Sequence, residues 1–314
     1  MNILITGASG FIGSALLDGL RGENNFIVCL SRFTHEDEPN VKWIKMNLII
    51  DSWDEVSLPP IDVIYHLAGQ TSTYGARQNP IEDLSSNVLG LLNLLEHFKK
   101  QACPPFIVIA GTATEVGLTE QLPIHENLPD HPITFYDISK LTAEMYLKQY
   151  VREGWIKGCV LRFANVFGCC KDGRQADRGV IDKIFNRAVS GQSITIYGDG
   201  NYLRDYIFIE DVVSALILAT KYIEKTNGRN FYIGSGQGIA LKEAFLKVIS
   251  IAATVTGINV GHKFVPPPAD LSDIEYRNAV IDFSAFRQAT GWVPQYDFDS
   301  GLKVTYNHTL LKSP

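Results

Sequence analysis

The chain reads as an α/β protein, a doubly wound parallel sheet followed by a smaller C-terminal α/β region that completes a cleft. Three observations carry this reading. Short apolar runs alternate with amphipathic stretches through the first half. A glycine-spaced turn joins the first run to the first helix. After Gly168 the loops lengthen, and short strands mix with helices. The 314 residues are 46% hydrophobic and 20% charged, which supports a large core and excludes wholesale disorder. The expected division is residues 1–168 for the first region and 169–314 mainly for the second, with some later segments returning to the first.

Residues 2–6 (NILIT) form a continuous apolar run, as a strand buried on both faces requires. A helix follows from Phe11 to Leu20, and strands are expected at 26–30, 42–46, 61–66 and 105–110. Between the last two, Leu84, Val88, Leu91 and Leu95 keep helical spacing, with Pro80 near the start, where its missing N–H costs little. A helix over 135–152 and a strand over 158–163 complete a β-α-β order with right-handed crossovers. Helices at 179–190, 209–223 and 240–254 then accompany the short strands ITIYG and FYIGS.

Composition narrows the partners. Lys and Arg number 28 against 34 Asp and Glu, a net charge of −6 without a basic run, which argues against nucleic acid. No apolar stretch approaches the ~18 residues of a membrane span. The N-terminus has no basic region or cleavage signal, so a cytoplasmic protein is expected. Five cysteines (29, 103, 159, 169 and 170) form no C-x-x-C, and reduced thiols without a metal site are expected. The adjacent pair Cys169–Cys170 leaves a vicinal disulfide as the alternative.

Gly7, Gly10 and Gly13 lie between the first strand and the first helix, in the spacing G-x-x-G-x-x-G. Gly7 permits the tight turn, Gly10 lets a phosphate approach the backbone, and Gly13 lets the helix pack on the sheet. The helix N-terminus supplies free N–H groups for a pyrophosphate. This is the context of a Rossmann-type dinucleotide site. The second strand ends in Ser31-Arg32, where an NAD site usually carries an acid. An Arg there can fork onto a 2′-phosphate, so NADP(H) is expected ahead of NAD(H), although Glu36, Asp37 or Glu38 could reach back to Arg32. Tyr136 and Lys140 stand four apart on one helix face. An ammonium beside a phenol stabilises the phenolate, so Tyr136 can exchange a proton with a substrate oxygen while hydride moves.

Together these motifs resemble the extended short-chain dehydrogenase/reductase family, in particular its nucleotide-sugar epimerases, dehydratases and ketoreductases. The likeness runs through His66–Gln70, Asn87–Gly90, Leu161–Gly168, Ile196–Gly200, Arg204–Tyr206, Phe231–Gly236 and Gly291–Pro294, nearly the whole chain in order. It implies a third catalytic group, a hydroxyl, at Thr112, with Thr114 in reserve, because the segment Gly111–Gly117 has Val116 where the family has Tyr. It also implies cofactor contacts from Gly7, Ser9, Gly10, Phe11, Ile12, Ser31, Arg32, Asn47, Leu48, Leu67, Ala68, Gly69, Phe163 and Val166, beside Tyr136 and Lys140. A nucleotide sugar would meet Gln70, Thr112, Thr114, Asn165, Tyr197, Arg204 and Arg277, the last replacing an Arg that the loop at 265–270 lacks. His66 and Asn87 are expected to pack and hydrogen-bond rather than react. The helices near 81–98 and 135–151 would form a homodimer face, as in many relatives.

The same comparison bears on the reaction. Dehydratases of the family follow the catalytic Thr with Asp-Glu, whereas this chain has Ala113 and Thr114; a register shifted by one would instead bring Glu115 into play. The Ser31-Arg32 signal leans to an NADPH-dependent 4-ketoreductase of an NDP-4-keto-6-deoxyhexose. The alternative is an NDP-sugar 4-epimerase with tightly bound NAD, which the Thr112-Ala113-Thr114 segment resembles. A different class, a non-catalytic dinucleotide sensor, has no need for Thr, Tyr and Lys together.

Overall fold

The structure, a computed structural model, describes residues 1–22, 24–169 and 179–310. It opens with β1 (Asn2–Thr6), α1 (Phe11–Leu20), β2 (Phe26–Ser31), β3 (Val41–Lys45) and β4 (Val63–His66). Next come α2 (Thr73–Gln78), α3 (Pro80–Leu84), a π-helical turn (Ser85–Leu89) and α4 (Gly90–Phe98). The stretch expected as one helix is thus three pieces. Pro80 opens α3 after the Asn79 cap, and the widened turn carries Asn87 inward. β5 (Phe106–Thr112) leads into a 3₁₀ turn (Ala113–Val116), followed by α5 (Phe135–Arg152), β6 (Lys157–Phe163) and β7 (Asn165–Phe167).

The remaining elements are α6 (Val180–Val189), β8 (Ile194–Tyr197), β9 (Leu203–Phe208), α7 (Ile209–Lys221), α8 (Ile223–Thr226), β10 (Asn230–Ile233), β11 (Gly238–Ala240), α9 (Leu241–Thr256), β12 (His262–Val265), α10 (Ser284–Thr290) and α11 (Phe298–Leu310). The helix expected over 209–223 breaks after Lys221.

Seven parallel strands make the main sheet in the order β10-β6-β5-β4-β1-β2-β3. Alternation along each strand builds two cores. Ile3, Ile5, Cys29, Tyr65 and Val108 face α1, α7 and α10, while Leu4, Val28, Ile64 and Ile107 face α4 and α5. The strand read as FYIGS is β10, which joins the main sheet beside β6 in parallel register. A third core, holding Phe167, Phe185, Phe208, Ala244, Val248, Phe298 and Leu302, lies under α6, α9 and α11 with β9. A three-stranded sheet (β11-β9-β7) and a two-stranded one (β12-β8) accompany it. Among the described residues no helix is long and apolar enough to cross a membrane. The pair Cys169–Cys170 is described only at Cys169, whose Sγ donates to the Thr305 carbonyl at 3.5 Å; Cys170 lies outside the described residues.

Candidate active site

The strand ends β1, β4 and β5 converge on one edge of the sheet, as they must in a parallel doubly wound fold. At β1 the glycine turn is sterically dictated. Gly7 has φ +70°, and a Cβ there would come within 2.6 Å of the Ala68 nitrogen. A Cβ on Gly13 would lie 2.1 Å from the Gly7 carbonyl. Gly10 caps α1 without any side-chain hydrogen bond, so no capping side chain covers that helix end. Phe11 and Ile12 are half-buried and turn inward onto the third core.

The tip of β2 differs from expectation in its wiring. Ser31 Oγ shares hydrogen bonds with Ser9 Oγ (3.3 Å) and His35 Nε2 (3.1 Å) and accepts from Phe33 N (3.1 Å). His35 in turn stacks on Trp43 at 4.1 Å. Nothing periodic in the sequence announced His35. Arg32 is exposed, and two of the three nearby acids are engaged elsewhere: Asp37 accepts from Trp43 N and Glu38 pairs with Arg21. Asn47 and Leu48 follow β3; Asn47 Oδ1 accepts from Ile49 N, and the Leu48 carbonyl accepts from Asn93 at 2.8 Å. Leu67, Ala68 and Gly69 follow β4, with Leu67 N and Ala68 N donating to the Thr6 carbonyl and hydroxyl. A Cβ on Gly69 would lie 2.5 Å from Asn87 Oδ1 and 3.9 Å from Lys140 Nζ, so backbone, amide and ammonium crowd one corner. Burial and the Lys140 charge push His66 down to about 3, and its neutral ring shares a 3.0 Å hydrogen bond with Thr6. It packs rather than reacts.

Thr112 ends β5 and Tyr136 opens α5, and both line one small pocket. Lys140 follows one turn along α5. Burial, then the Asp137 and Glu115 carboxylates, hold the Tyr136 phenol above its ordinary range, while the Thr112 hydroxyl works the other way. Burial lowers Lys140 against the attraction of Glu115 and Asp83. Thr112, Thr114, Tyr136, Phe163, Asn165 and Arg277 line a pocket of about 190 Å³.

Glu115 is not on that wall. It is fully buried, accepts from Thr112 N at 2.8 Å and pairs with Arg162 at 3.0 Å; burial, opposed by Arg162, pushes it up to about 8. Arg162 also holds Asp130 and Glu144 through paired bonds of 2.6–2.9 Å. The shifted register that would make Glu115 a reacting acid therefore has no geometric support.

A cleft of about 1530 Å³ adjoins this pocket and is lined by Gln70, Asn165, Val166, Tyr197, Arg204 and Arg277 among others. Gln70 is engaged at both ends by Ser72: its Nε2 donates to the Ser72 carbonyl at 2.7 Å, and its Oε1 accepts from Ser72 N. Arg204 does not pair with Asp205 or Asp199. Its guanidinium donates to the carbonyls of Leu203, Glu275 and Arg277, with the Glu275 carboxylate at 3.6 Å. Asp205 is instead taken by the backbone of Ser235, Gly236 and Ile281. Arg277 reaches Asn165 Oδ1 at 3.4 Å and borders both cavities. The sequence reading missed Thr71, Thr73 and the exposed Lys183 on the cleft wall, because none belongs to a spaced motif.

Comparison with known proteins follows this geometry. The model of the NAD dependent epimerase/dehydratase family matches residues 3–234. A crystal structure of UDP-glucose 4-epimerase from Thermotoga maritima, with UDP-glucose, superposes with a TM-score of 0.86 at 30% identity, covering 98% of each chain. The UDP-glucose 4-epimerase of Mycolicibacterium smegmatis is 27% identical over the full length of both chains. MoeE5, in complex with UDP-glucose and NAD, is 25% identical with a TM-score of 0.83 over 98% of each chain. Two of these three proteins carry the name UDP-glucose 4-epimerase.

Proposed function

Because the chain belongs to the NAD dependent epimerase/dehydratase family of NAD-dependent enzymes, we propose that it is a nucleotide-sugar 4-epimerase acting on a UDP-hexose. The observation that carries the reading is the Thr112–Tyr136 hydroxyl pair on the wall of a pocket opening to a cleft large enough for a nucleotide sugar. Ala113 and Thr114 stand on that wall where elimination of water calls for carboxyl groups. The full-length likeness to enzymes named 4-epimerases supports inversion over one-way reduction.

The turn at Gly7, Gly10 and Gly13 and the N-terminal end of α1 fit a dinucleotide pyrophosphate, since a side chain at Gly7 or Gly13 would collide with the backbone that keeps this turn tight. Ser31 and Arg32 would meet the adenine ribose, with Asn47, Leu48 and Leu67–Gly69 beside it. When bound, that group supplies a hydride acceptor and donor. Lys140 would steady its ribose, and Tyr136, beside Thr112, would move the proton of the sugar hydroxyl. The region after Gly168, with Asn165, Tyr197, Arg204 and Arg277, would hold the sugar and its diphosphate. β2 ends without an acid, so the site would take either dinucleotide, with Arg32 serving only the 2′-phosphorylated one. That tip keeps a second reading in view, the NADPH-linked 4-ketoreductase.

The test is to incubate the purified enzyme with UDP-glucose and no added cofactor. Conversion to the C4 epimer without net dinucleotide turnover supports epimerisation. Stoichiometric consumption of added NADPH with a 4-keto sugar would establish the reductase.

A further inference from the structure

Asp137 follows Tyr136 at the start of α5 and is wholly buried. Its N–H donates to Oγ1 of the capping Thr134 at 3.1 Å. Its Oδ1 accepts from Thr114 Oγ1 at 2.5 Å, while Oδ2 has no hydrogen-bond partner among the described residues. Burial raises its pKa against the Thr114 and Thr134 hydroxyls and the Arg277 charge. A buried carboxylate with an orphan oxygen is costly when ionised and cheaper when protonated. Thr114 Oγ1 lies 2.9 Å from Thr112 Oγ1, and Tyr136 lines the same small pocket as both hydroxyls. Three side chains thus form one hydrogen-bonded chain from Thr112 to the carboxylate, and the Tyr136 phenol shares a pocket wall with its Thr112 end.

Each hydroxyl owns one proton, so the carboxylate sets the direction of the whole chain. While Asp137 is ionised, Thr114 donates to it and has no proton left for Thr112. Thr112 therefore donates to Thr114. Thr112 Oγ1 also accepts from Thr114 N at 3.3 Å, which leaves one lone pair to accept from the phenol. Every donor in the chain points away from Tyr136.

We propose that Asp137 is the proton store for Tyr136, reached through the Thr112 and Thr114 hydroxyls. The inference rests on the 4-epimerase reading. In the oxidising half-reaction the sugar C4–H bond breaks, its hydride reduces the nicotinamide, and the alcohol becomes a ketone. The O4 proton passes to Tyr136 as the phenol proton passes to Thr112, the Thr112 proton to Thr114, and the Thr114 proton to Asp137 Oδ1. Each intervening oxygen ends with one proton, as it began, and Asp137 becomes a carboxylic acid. The donors now point toward the ketone, so return of the hydride to the other face reverses every transfer. A wholly buried store suits this cycle, which returns the proton it takes and draws none from water. Asp137 acts through Tyr136 and is a positioning residue.

Three variants test it: Asp137→Asn, which keeps shape but stores no proton; Thr114→Val, which keeps shape but breaks the chain; and Thr114→Ser, which restores the hydroxyl. Single-turnover reduction of the nicotinamide by UDP-glucose should slow about 100-fold in the first two and return to within roughly threefold in the third. KM should stay within about twofold, as expected for an interaction felt in the transition state. The rate plotted against deuterium fraction of the solvent should curve in the wild type and run straight in Thr114→Val. A readout independent of turnover is the ultraviolet titration of Tyr136, taken as the difference from Tyr136→Phe. Asp137→Asn should shift it, and the shift should shrink in the Thr114→Val background. Rates within threefold of wild type, straight plots in both proteins, or a shift of equal size in both backgrounds would overturn the inference while wild-type epimerisation stands. A wild type that passes no hydride from UDP-hexose would overturn the functional reading and this inference with it.

Discussion

Tyr136 sits in a pocket that opposes its ionisation, between burial and two carboxylates, with Lys140 one helical turn away. A hydroxyl there can work only as part of a group. Tyr136→Phe should therefore cut turnover about 10²–10⁴-fold, the usual worth of a positioned acid-base group, while leaving dinucleotide affinity nearly unchanged by equilibrium titration. Arg32→Ala should weaken NADPH about tenfold, since a charge-assisted bond to phosphate is lost, and leave NADH within about twofold. His66 gives a pH prediction. Its ring is held at about 3 in the folded chain against 6.5 for a free histidine, so the native state binds fewer protons. Stability is complete above pH 6.5 and falls as pH drops toward 3, by up to about 1.4 kcal/mol per unit; His66→Gln should flatten that portion of a urea-denaturation series. Glycines 7, 10 and 13 and the Tyr136–Lys140 pair were legible in sequence because their geometry is local. Asp137 and His35 were not: Thr114 meets Asp137 only once α5 packs beside the end of β5, and His35, though four residues from Ser31, belongs to no spaced motif.

At the scale of elements, alternating apolar runs predicted the strands well, since a parallel strand buried on both faces needs continuous apolar sequence. They could not assign β10 to the main sheet, because pairing with β6 joins residues some 70 apart, Asn230 with Val160. The Arg162 cluster was hidden for the same reason: Glu115, Asp130 and Glu144 reach one guanidinium from three segments. Removing that cation leaves three buried or half-buried carboxylates facing one another. Arg162→Met should cost about 3–5 kcal/mol in urea denaturation, and a loss under 1 would contradict the role given to the cluster. Outward on α3, the π-helical turn and α5, Ile81, Leu84, Leu89, Ile138 and Met145 are exposed. That stripe fits a second copy of the chain, so light scattering should give a dimer mass for the wild type and a monomer mass for Met145→Glu.

Across the whole molecule, phenol and hydroxyl share a small pocket at one end of a cleft lined in part by β7, β8, β9 and the loop before α10. The cleft holds Arg204 against Glu275, and backbone carbonyls orient the guanidinium groups of Arg204 and Arg277. The central claim is that this arrangement inverts C4 of a UDP-hexose in a closed cycle. The most direct measurement follows UDP-glucose by proton NMR with enzyme as purified and no added dinucleotide. The account predicts an equilibrium mixture of UDP-glucose and UDP-galactose, reached without net oxidation or reduction of nicotinamide. Unchanged UDP-glucose, with NADPH consumed mole for mole by a 4-keto sugar, would contradict it.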